Sequence, residues 1–497
     1  MKYLLSSAQM KQCDANTMEY YGIPSLVLME RASLKLSDEI MKRFPDRSIS
    51  ILSVCGTGNN GGDGIAAARL LFLAGYDVDI LFPGNEEKMT EQTRIQHAAA
   101  LKYNIPVFKE LPEKNYDVII DAIFGIGLDR EVKGRYAELI NSLNLLEGFK
   151  AAADIASGIS ANTGQVLGTA FKADLTVTFG FAKKGQILYP GAVYTGELIT
   201  ADIGIDGHSL LEIKPDTLLL ESKDLECLPE RSAYSNKGTY GKVLTIAGSF
   251  CMAGAAALSA RASYYTGAGL VKIITPEENR EIIQCLIPEA ILSVYGNDTD
   301  IKDYIKDQLA WADAVVLGPG LGRSSQAEEI VKTVLANAAV PCIIDADALN
   351  IIAEHKEWLK HTDTPLIITP HPGEMSRLCG KSINDLQKDL LTAAGDFAAE
   401  YGVITVLKDA ATVIALPFGR KYINNHGNNG MATAGSGDVL SGIIGALLGQ
   451  GMESSSAAYT GVLIHAMAGD EGAKKTGVRS LTASGIAGSI ENVLRGL

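Results

Sequence analysis

Short apolar runs rich in β-branched residues alternate with segments of helical periodicity through the first half of the chain. The runs predict strands at 48–55, 76–82, 116–124, 150–156 and 174–180. Helices are predicted within the first 45 residues, from about Gly64, and over 90–103. This alternation is typical of a mostly parallel sheet covered by helices on both faces.

The same alternation returns in the second half of the chain, after an irregular stretch at about 205–236. Strands are predicted at 242–248, 270–276, 314–320, 342–346, 366–370 and 403–409. Helices are predicted at 254–267, 325–338, 384–401 and 437–450. The charged, proline- and glycine-containing stretch between the two series favours two separate α/β domains.

Composition narrows the possible partners. Lys and Arg number 44 and Asp and Glu number 58, so the net charge is −14, which argues against binding nucleic acid or an anionic membrane through bulk charge. Seven scattered cysteines without a CxxC pair indicate reduced thiols and a cytoplasmic protein. We expect no signal peptide and no membrane span, because no apolar stretch reaches about 18 residues.

A glycine-rich loop follows the first long strand. Residues 55–64, CGTGNNGGDG, contain the spacing GxGxxG, which by itself is a weak sign of dinucleotide binding. The acid that should end the next strand is missing, because Asp79 precedes the apolar run, and this argues against an NAD-dependent dehydrogenase. Asn59, Asn60 and Asp63 are either turn and cap residues or ligand-binding groups at a helix start.

Two further strands end in polar loops. Asp121 ends one strand and Asp154 the next, and Ser157 follows shortly after. The carboxyl ends of parallel strands line one crevice, so Asn60, Asp121 and Ser157 could supply oxygen ligands to a hard cation. Asp154 would be a second carboxylate that moves protons. The alternative is that these aspartates cap helices.

The motifs NNGGDG, DAIFGIG and DIASG resemble, in order and spacing, those of the NAD(P)H-hydrate epimerase family, over residues 1–212. The resemblance implies a Rossmann-like three-layer domain that interconverts the R and S epimers of hydrated NADH or NADPH (NADHX, NADPHX). It implies a potassium ion held by Asn60, Asp121 and Ser157. The substrate residues that it implies are Asn60, Gly61, Gly62, Asp63, Gly64, Gly125, Ile126, Gly127, Leu128, Asp129, Arg130, Glu131 and the catalytic Asp154. The family's usual proline before the serine is here Ala156.

The strongest motif of the second half is TAGSGD, which ends at Asp438 and begins an amphipathic helix. Glycines at a helix start let free N–H groups close on a phosphate, and an aspartate one step inside can accept the proton of an attacking hydroxyl. The loop is not a Walker A motif, because no Gly-Lys-Ser/Thr follows GxxxxG. The alternative is that Asp438 only complements the helix dipole.

This arrangement resembles the ribokinase-like superfamily, and LGPGLG, DADALN and TPHPGEM narrow the resemblance to ADP- or ATP-dependent (S)-NAD(P)H-hydrate dehydratases over residues 224–497, after a linker at 213–223. It implies that Asp438 is catalytic and lies in the hydrate pocket with Gly254, Ala255, Gly320, Gly322 and His371. Nucleotide-binding residues would be Lys408, Asp409, Ala410, Ala411, Thr412 and Gly437, with Mg²⁺ bound alongside the nucleotide. Asp409 departs from the family, which commonly has a small residue there.

Together the resemblances match the domain order of the bifunctional NAD(P)H-hydrate repair enzymes. The implied reaction in the second half phosphorylates the C6 hydroxyl of the hydrate, which then leaves as phosphate and restores NAD(P)H. A rival interpretation is a ribokinase-like small-molecule kinase with a non-catalytic nucleotide-binding first half. The sequence does not distinguish ADP from ATP. The helix after Pro24 either packs on its own domain or forms a self-association face, and we expect a homo-oligomer.

Overall fold

The computed structural model describes residues 1–362 and 364–495. The chain divides into two compact units, one formed by Tyr3–Thr217 and the other by Met1–Lys2 together with Leu218–Leu497. The division falls inside the segment 213–223 that the sequence marks as a linker. That the units correspond to two independently working domains stays a prediction.

The elements of the first unit alternate as the hydrophobic pattern predicts. Its strands are β1 (Lys2–Leu5), β2 (Ser50–Cys55), β3 (Asp77–Leu81), β4 (Val107–Phe108), β5 (Val118–Ala122), β6 (Phe149–Ala153), β7 (Leu175–Phe179), β8 (Ala182–Lys183) and β9 (Glu197–Ala201). Its helices are α1 (Ser7–Glu19), α2 (Ser25–Arg43), α3 (Asn59–Leu73), α4 (Glu91–Lys102), α5 (Arg135–Leu145), α6 (Lys184–Ile187) and α7 (Gly191–Thr195).

A parallel sheet with the order β4-β3-β2-β5-β6-β7-β9 forms the middle layer of this unit. Neighbouring residues of β2 point to opposite faces, so Ile51 packs in one hydrophobic core with Leu36 and Ile40 of α2, while Leu52 packs in another with Ile140 of α5. Both faces are therefore covered, which makes the unit three-layered. The strand order reverses between β2 and β5, and their carboxyl ends border a crevice.

The second unit repeats the alternation over a longer sheet. Its strands are β10 (Thr217–Leu219, at the division), β11 (Lys242–Ile246), β12 (Leu270–Pro276), β13 (Ile291–Tyr295), β14 (Ala314–Leu317), β15 (Cys342–Ile344), β16 (Leu366–Ile368), β17 (Ile404–Leu407), β18 (Thr412–Ala415) and β19 (Lys421–Asn424). Its helices are α8 (Ala253–Tyr265), α9 (Arg280–Leu286), α10 (Ile301–Leu309), α11 (Ser325–Asn337), α12 (Asp347–Glu354), α13 (Pro372–Cys379), α14 (Ile383–Lys388), α15 (Leu390–Tyr401), α16 (Ser436–Gly449), α17 (Ser454–Thr476) and α18 (Ala483–Leu494).

Its strands run parallel in the order β13-β12-β11-β14-β15-β16-β17, and β18 and β19 extend the sheet in antiparallel pairing. The order reverses between β11 and β14, which marks a second crevice at the carboxyl ends of the strands. Fold class and architecture, two α/β units built on parallel sheets, agree with the prediction from the sequence.

Four details differ from the predicted elements. The helix predicted from about Gly64 begins at Asn59. The first residues, predicted helical, contain the strand β1. The helix predicted over 384–401 is interrupted at Asp389, whose carboxylate accepts the N–H of Thr392 and caps the second helix. The helix α16, predicted amphipathic, is buried on almost every side because it packs between α8, α17 and the sheet.

All seven cysteines are free, as their spacing indicates. Within residues 1–362 and 364–495, no helix is long and apolar enough to span a membrane.

Candidate functional sites

A cavity of about 620 Å³ opens at the reversal of strand order in the first unit. Its walls come from the loop after β2, the loop after β5, Asp154 after β6 and the side of α1. Asn60 and Asp63 line it, as do Gly125, Ile126, Gly127, Leu128, Asp129 and Arg130. Polar groups from separate strand ends thus meet in one concave site, as the sequence predicts from topology.

The glycines of the loop after β2 serve close packing. A Cβ at Gly56 would lie 2.0 Å from the carbonyl oxygen of Ile123, and one at Gly61 would lie 1.9 Å from that of Gly56. Gly62 and Gly64 are buried against Met29 and Ala122. The residues lining the cavity therefore include Asn60 and Asp63 but not Gly61, Gly62 or Gly64. Because the backbone passes so closely, the first turn of α3 can place the Asn60 and Asp63 side chains at the cavity.

Asn60 lines the cavity, and Asp121 and Ser157 are bonded to each other at the ends of β5 and β6. Asp121 is fully buried, and its carboxylate accepts hydrogen bonds from the backbone N–H and hydroxyl of Ser157 at 2.7 and 2.6 Å. Both polar side-chain atoms of Asn60 are buried without a hydrogen-bond partner. Burial raises the pKa of Asp121 to about 6, although the bonds from Ser157 oppose the shift. A buried amide oxygen that has no partner among the described residues, a carboxylate and a hydroxyl are oxygen donors of the kind that hard cations prefer.

Glu131 lies apart from the other residues predicted to contact substrate. It is exposed, does not line the cavity, and forms an ion pair with Lys133 at 2.7 Å. Within residues 1–362 and 364–495 there is no group of three or more His, Cys, Asp or Glu residues arranged to hold a metal.

Asp154 has a constrained position at the end of β6. Its backbone is left-handed, with φ of 63°, which is uncommon outside glycine and is stable only where surrounding contacts enforce it. Its Oδ1 accepts hydrogen bonds from the Lys183 ammonium at 2.5 Å, the Thr178 hydroxyl at 3.1 Å and the Phe179 N–H at 3.2 Å. Lys183 is fully buried and also lines the cavity.

Two further carboxyl groups face the same cavity. Burial, and then the charge of Asp154, raise the pKa of Asp14 to about 7, while Lys183 opposes the shift. Burial and the charges of Asp154 and Asp14 raise the pKa of Asp63 well above its ordinary value. Near neutral pH this cluster therefore retains protons that exposed aspartates would have lost.

In the second unit, Asp438 lies in the first turn of α16. The helix begins after Gly435, whose φ of 87° lies in the left-handed region. A Cβ at this position would collide with the Leu258 side chain. Burial, and then the charge of Asp345, raise the pKa of Asp438 to about 7, and Lys408 opposes the shift. The arrangement places a carboxyl group that titrates near neutrality at a helix N-terminus with free N–H groups.

Lys408 reaches the same helix start from the end of β17. Its ammonium donates to Asp345 Oδ1 at 2.9 Å, and the Ser441 hydroxyl donates to Asp345 Oδ2 at 2.5 Å. A Cβ at Gly437 would lie 3.1 Å from the Lys408 nitrogen. Although burial disfavours the charge, Asp345 and Glu374 raise the pKa of Lys408, which therefore carries a positive charge beside the glycine turn. A fixed cation next to free N–H groups can bind a phosphate.

The loops predicted to bind the hydrate meet at the reversal of strand order. A Cβ at Gly320, after β14, would lie 2.9 Å from the Ala255 side chain, while Gly254 faces open space. Gly322 donates its N–H to Asp347 at 2.9 Å. His371 caps α13, because its Nδ1 accepts the N–H of Gly373 at 2.9 Å. The imidazole proton is therefore on Nε2 while the ring is neutral.

The residues predicted to hold the nucleotide form the turn from Lys408 into β18. Asp409 accepts the N–H of Ala410 at 2.8 Å with its carboxylate and the Thr412 hydroxyl at 3.3 Å with its carbonyl oxygen. Ala410 is exposed and Ala411 is buried. The carboxylate of Asp409 thus stabilises its own turn, which accounts for an acid at this position.

Sequence reasoning missed Lys183, Asp14, Asp345 and His465. Asp345 precedes the left-handed Ala346, whose φ is 51°. His465 Nε2 lies 3.2 Å from the Ser436 hydroxyl, and burial lowers the pKa of His465 to about 4, so the ring is neutral. Asp345 lies in the DADALN motif, so the sequence contained a signal that could have identified it. The other three are single polar residues within helical or short segments and had none.

Both halves of the chain match known protein families. Residues 243–492 match the family model described as NAD(P)H-hydrate dehydratase, and residues 25–185 match that of the YjeF-related protein N-terminus. A bifunctional NAD(P)H-hydrate repair enzyme of Moorella thermoacetica is 38% identical, with 100% of this chain and 97% of the relative covered. The enzyme of the same name from Escherichia coli is 34% identical, with 95% of this chain and 90% of the relative covered.

Solved structures match the second unit. An ADP/ATP-dependent NAD(P)H-hydrate dehydratase from Bacillus subtilis, co-crystallised with ATP and Mg²⁺, is 31% identical with a TM-score of 0.50, and 56% of this chain and 98% of that chain are covered. A ribokinase-like superfamily protein from Enterococcus faecalis is 28% identical with a TM-score of 0.51, with 57% and 97% covered. The ribokinase-like fold predicted for this half is confirmed.

Proposed function

Because the chain belongs to the family of bifunctional NAD(P)H-hydrate repair enzymes, we propose that it restores NADH and NADPH from their hydrates in two steps. The first unit interconverts the R and S epimers of the hydrate. The second unit dehydrates the S epimer at the expense of a nucleotide. The observation that carries this proposal is that each unit places an aspartate at its candidate site: Asp154 lines the cavity of the first unit, and Asp438 lies in the first turn of α16 near Lys408.

In the first unit, Asp154 is the group that we assign to proton transfer. It lines the cavity and is held at Oδ1 by three donors. The first turn of α3 and the loop with Gly125 and Gly127 would grip the pyrophosphate and the hydrated ring. Inversion at C6 requires a group that exchanges a proton with the hydrate, and a carboxylate within hydrogen-bond reach provides it.

A potassium ion fits the buried group of Asn60, Asp121 and Ser157. The amide oxygen of Asn60 has no other partner there, and Asp121 supplies one negative charge. When bound, the ion would supply positive charge close to the substrate phosphates. The residues themselves fix the loops after β5 and β6, because Ser157 bonds Asp121 and the backbone N–H of Phe124 donates to the Ser157 hydroxyl at 2.8 Å.

In the second unit, Asp438 accepts the proton of the C6 hydroxyl while that oxygen attacks the terminal phosphorus of ADP or ATP. The bond between this phosphorus and its bridging oxygen breaks, and AMP or ADP leaves. The phosphorylated C6 oxygen then departs as phosphate, with the ring losing a proton from the neighbouring carbon, and the double bond of NAD(P)H re-forms. Lys408 and the N–H groups at Gly437 hold the transferring oxygens.

Several finer points belong to the same proposal. Mg²⁺ would enter with the nucleotide, and Glu374, whose charge acts on Lys408, offers a carboxylate of the kind that it prefers, while Asp438 remains the base. The exposed Val27 and Leu34, one face of α2, support a homo-oligomer. The seven free cysteines support a cytoplasmic location.

The change Asp121→Ala tests the two-site proposal. It should abolish conversion of the R to the S epimer and leave dehydration of the S epimer nearly intact, because the two groups lie in separate units. The measurement follows NADH absorbance from each purified epimer with ADP or ATP present. Asp117→Ala, an exposed aspartate at the other end of the same sheet, is the control and should leave both rates unchanged. Formation of a stable phosphorylated product without NADH would instead indicate a small-molecule kinase.

A further inference from the structure

The side chain of Lys183 is completely buried, which is rare for lysine. Its ammonium donates to Asp154 Oδ1 at 2.5 Å, to the Thr178 hydroxyl at 2.7 Å and to the Phe179 carbonyl oxygen at 3.2 Å. Three acceptors satisfy the three hydrogens of an ammonium, so Lys183 is charged and fixed in one position.

The backbone around Lys183 holds the same aspartate. The Gln186 side chain donates to the Asp154 carbonyl oxygen at 2.6 Å and accepts the Lys183 N–H at 2.8 Å. The side chain and the main chain of Asp154 are thus both bound by the segment 183–186. These contacts support the left-handed backbone of Asp154, with φ of 63°.

The hydrogen bonds of Asp154 are one-sided. The donors from Lys183, Thr178 and Phe179 all end on Oδ1. Since Asp154 and Lys183 both line the cavity, the bonds described leave Oδ2 to a ligand there. A carboxylate held by one oxygen with the other presented to a cavity is oriented for proton exchange.

Lys183 lies among several carboxyl groups that line the same cavity. Asp14, Asp63 and Asp154 face one cavity, and their charges act on one another. Lys11 also lines the cavity, but it is exposed, so Lys183 is the buried cation among these groups. Without Lys183, three carboxyl groups would crowd one cavity without a buried cation among them, and Asp154 would lose the ammonium that fixes its Oδ1.

We propose that Lys183 is a positioning residue for epimerisation: it binds one oxygen of Asp154 and fixes the carboxylate so that the other oxygen is directed at the hydrate. The inference rests on the proposed role of Asp154 in proton transfer. Lys183 itself does not exchange a proton with the substrate, because all three of its hydrogens are engaged.

The test uses the full-length protein with the changes Lys183→Met and Lys183→Ala. We expect kcat for R-to-S conversion to fall about 100-fold in both variants, while KM for the hydrate stays within about threefold. Because Lys183 lines the cavity, its truncation to alanine leaves a space open to small amines. Propylammonium should therefore restore at least tenfold activity to Lys183→Ala, with saturation, and should not affect Lys183→Met.

Two controls accompany these variants. Lys184→Met removes the adjacent lysine, whose ammonium pairs with Asp216 at 2.7 Å, and should keep kcat within about twofold. Circular dichroism and thermal melting of the same preparations report whether the first unit is folded, and dehydration of the S epimer reports only on the second unit. If the alanine variant does not fold, the methionine variant, which preserves volume, decides the kcat result.

A methionine variant with kcat within threefold of the parent would overturn the inference. So would an alanine variant that is folded and inactive but gains nothing from the amine, because the loss would then come from packing. The change Asp154→Asn separates a failure of this inference about Lys183 from a failure of the proposed function. If that variant keeps its activity, the assignment of Asp154 is wrong; if it is inactive while Lys183→Met is active, only the role of Lys183 is wrong.

Discussion

The two units of this chain use the same pair of residue types in different ways. In the first unit a buried lysine, Lys183, binds Asp154, the carboxylate that faces the cavity, at 2.5 Å. In the second unit Lys408 binds Asp345 at 2.9 Å and only influences Asp438 from a distance. Lys183 thus binds the proposed proton-transfer group itself, whereas Lys408 binds Asp345, a carboxylate near the proposed base Asp438.

The difference leads to two kinds of carboxylate. A directly bound ammonium fixes one oxygen of Asp154 and orients the carboxylate, which suits exchange of a proton in both directions between two epimers. Among residues 1–362 and 364–495, no ammonium is bound directly to Asp438, and burial and Asp345 raise its pKa to about 7. A base whose pKa lies near the working pH accepts a hydroxyl proton most effectively, which suits phosphoryl transfer.

Both sites also contain a left-handed residue other than glycine at a strand end. Asp154 has a φ of 63° and Ala346, between Asp345 and Asp347, has a φ of 51°. Each such conformation costs about 1–3 kcal/mol and persists only where neighbouring contacts compensate. In the first unit the left-handed residue lines the cavity itself, and in the second it separates Asp345, which binds Lys408, from Asp347, which accepts the N–H of Gly322.

The largest effect that we predict concerns Asp438, the proposed base of the second unit. Asp438→Asn should lower dehydration turnover by about 10²–10⁴-fold, because the base is lost while the helix N–H groups remain. Nucleotide binding, measured by calorimetry, should be unchanged or slightly tighter. Epimerisation should be unaffected. Turnover within a few-fold of the parent would remove Asp438 from the mechanism.

The same variant, Asp438→Asn, also tests how the charge of Asp438 affects the stability of the fold. The pKa of Asp438 in the fold is raised, so the ionised side chain destabilises the fold once pH exceeds the unfolded value. At pH 8 the melting temperature of Asp438→Asn should therefore equal or exceed that of the parent. A marked fall in melting temperature would point to a structural role for the carboxylate.

The second prediction concerns Lys408, the lysine that binds Asp345 in the second unit. Lys408→Met should raise KM for ADP or ATP by about 10–100-fold, because a phosphate loses a charged partner. Since Lys408 opposes the raised pKa of Asp438, the acid limb of the dehydration rate should also move to higher pH. Lys388→Met, an exposed lysine paired with Asp385 at 2.7 Å, is the control and should change neither quantity. An unchanged pH profile would contradict the coupling between Lys408 and Asp438.

The third prediction is the pH dependence of the unmodified protein. Asp438 must be ionised to accept a proton, so dehydration should rise with pH through about 7 and level off above pH 8. At pH 6 the rate should be about one tenth of its plateau, because about a tenth of a group with this pKa is ionised there. The measurement is kcat/KM for the S epimer between pH 5.5 and 9. A rate that stays flat down to pH 6 would show that Asp438 titrates elsewhere or is not the base.

The sequence predicts what depends on local pattern and on parallel topology. Buried β-branched runs mark β2, β5 and β17, and the convergence of strand ends brings Asn60, Asp121 and Asp154 to one place. It did not predict that α3 begins at Asn59, because glycine disfavours helices and Gly58 offers no side-chain cap.

Lys183 could not be predicted either, because its burial depends on the chain returning after β7 to bind Asp154, which lies 29 residues earlier. The hairpin of β18 and β19 was also missed, although a proline and a glycine separate its two short strands. Long-range pairing of charges and short edge strands are set by tertiary packing, which a periodicity does not record.

The smallest predicted effect tests whether the two units work separately. A fragment of residues 218–497 should dehydrate the S epimer within about twofold of the full chain, since it retains almost all of the second unit. A fragment of residues 224–497 lacks Leu220, which is 1% exposed, lies in the main core of this unit, and donates its N–H to the Ile423 carbonyl oxygen at 2.9 Å. Loss of this side chain should lower the free energy of unfolding by about 1.5–3 kcal/mol, because a buried leucine is removed from the core. Urea unfolding followed by circular dichroism compares the two fragments. Equal midpoints would show that residues 218–223 are only a linker, and insolubility of the longer fragment would show that the two units depend on a shared core.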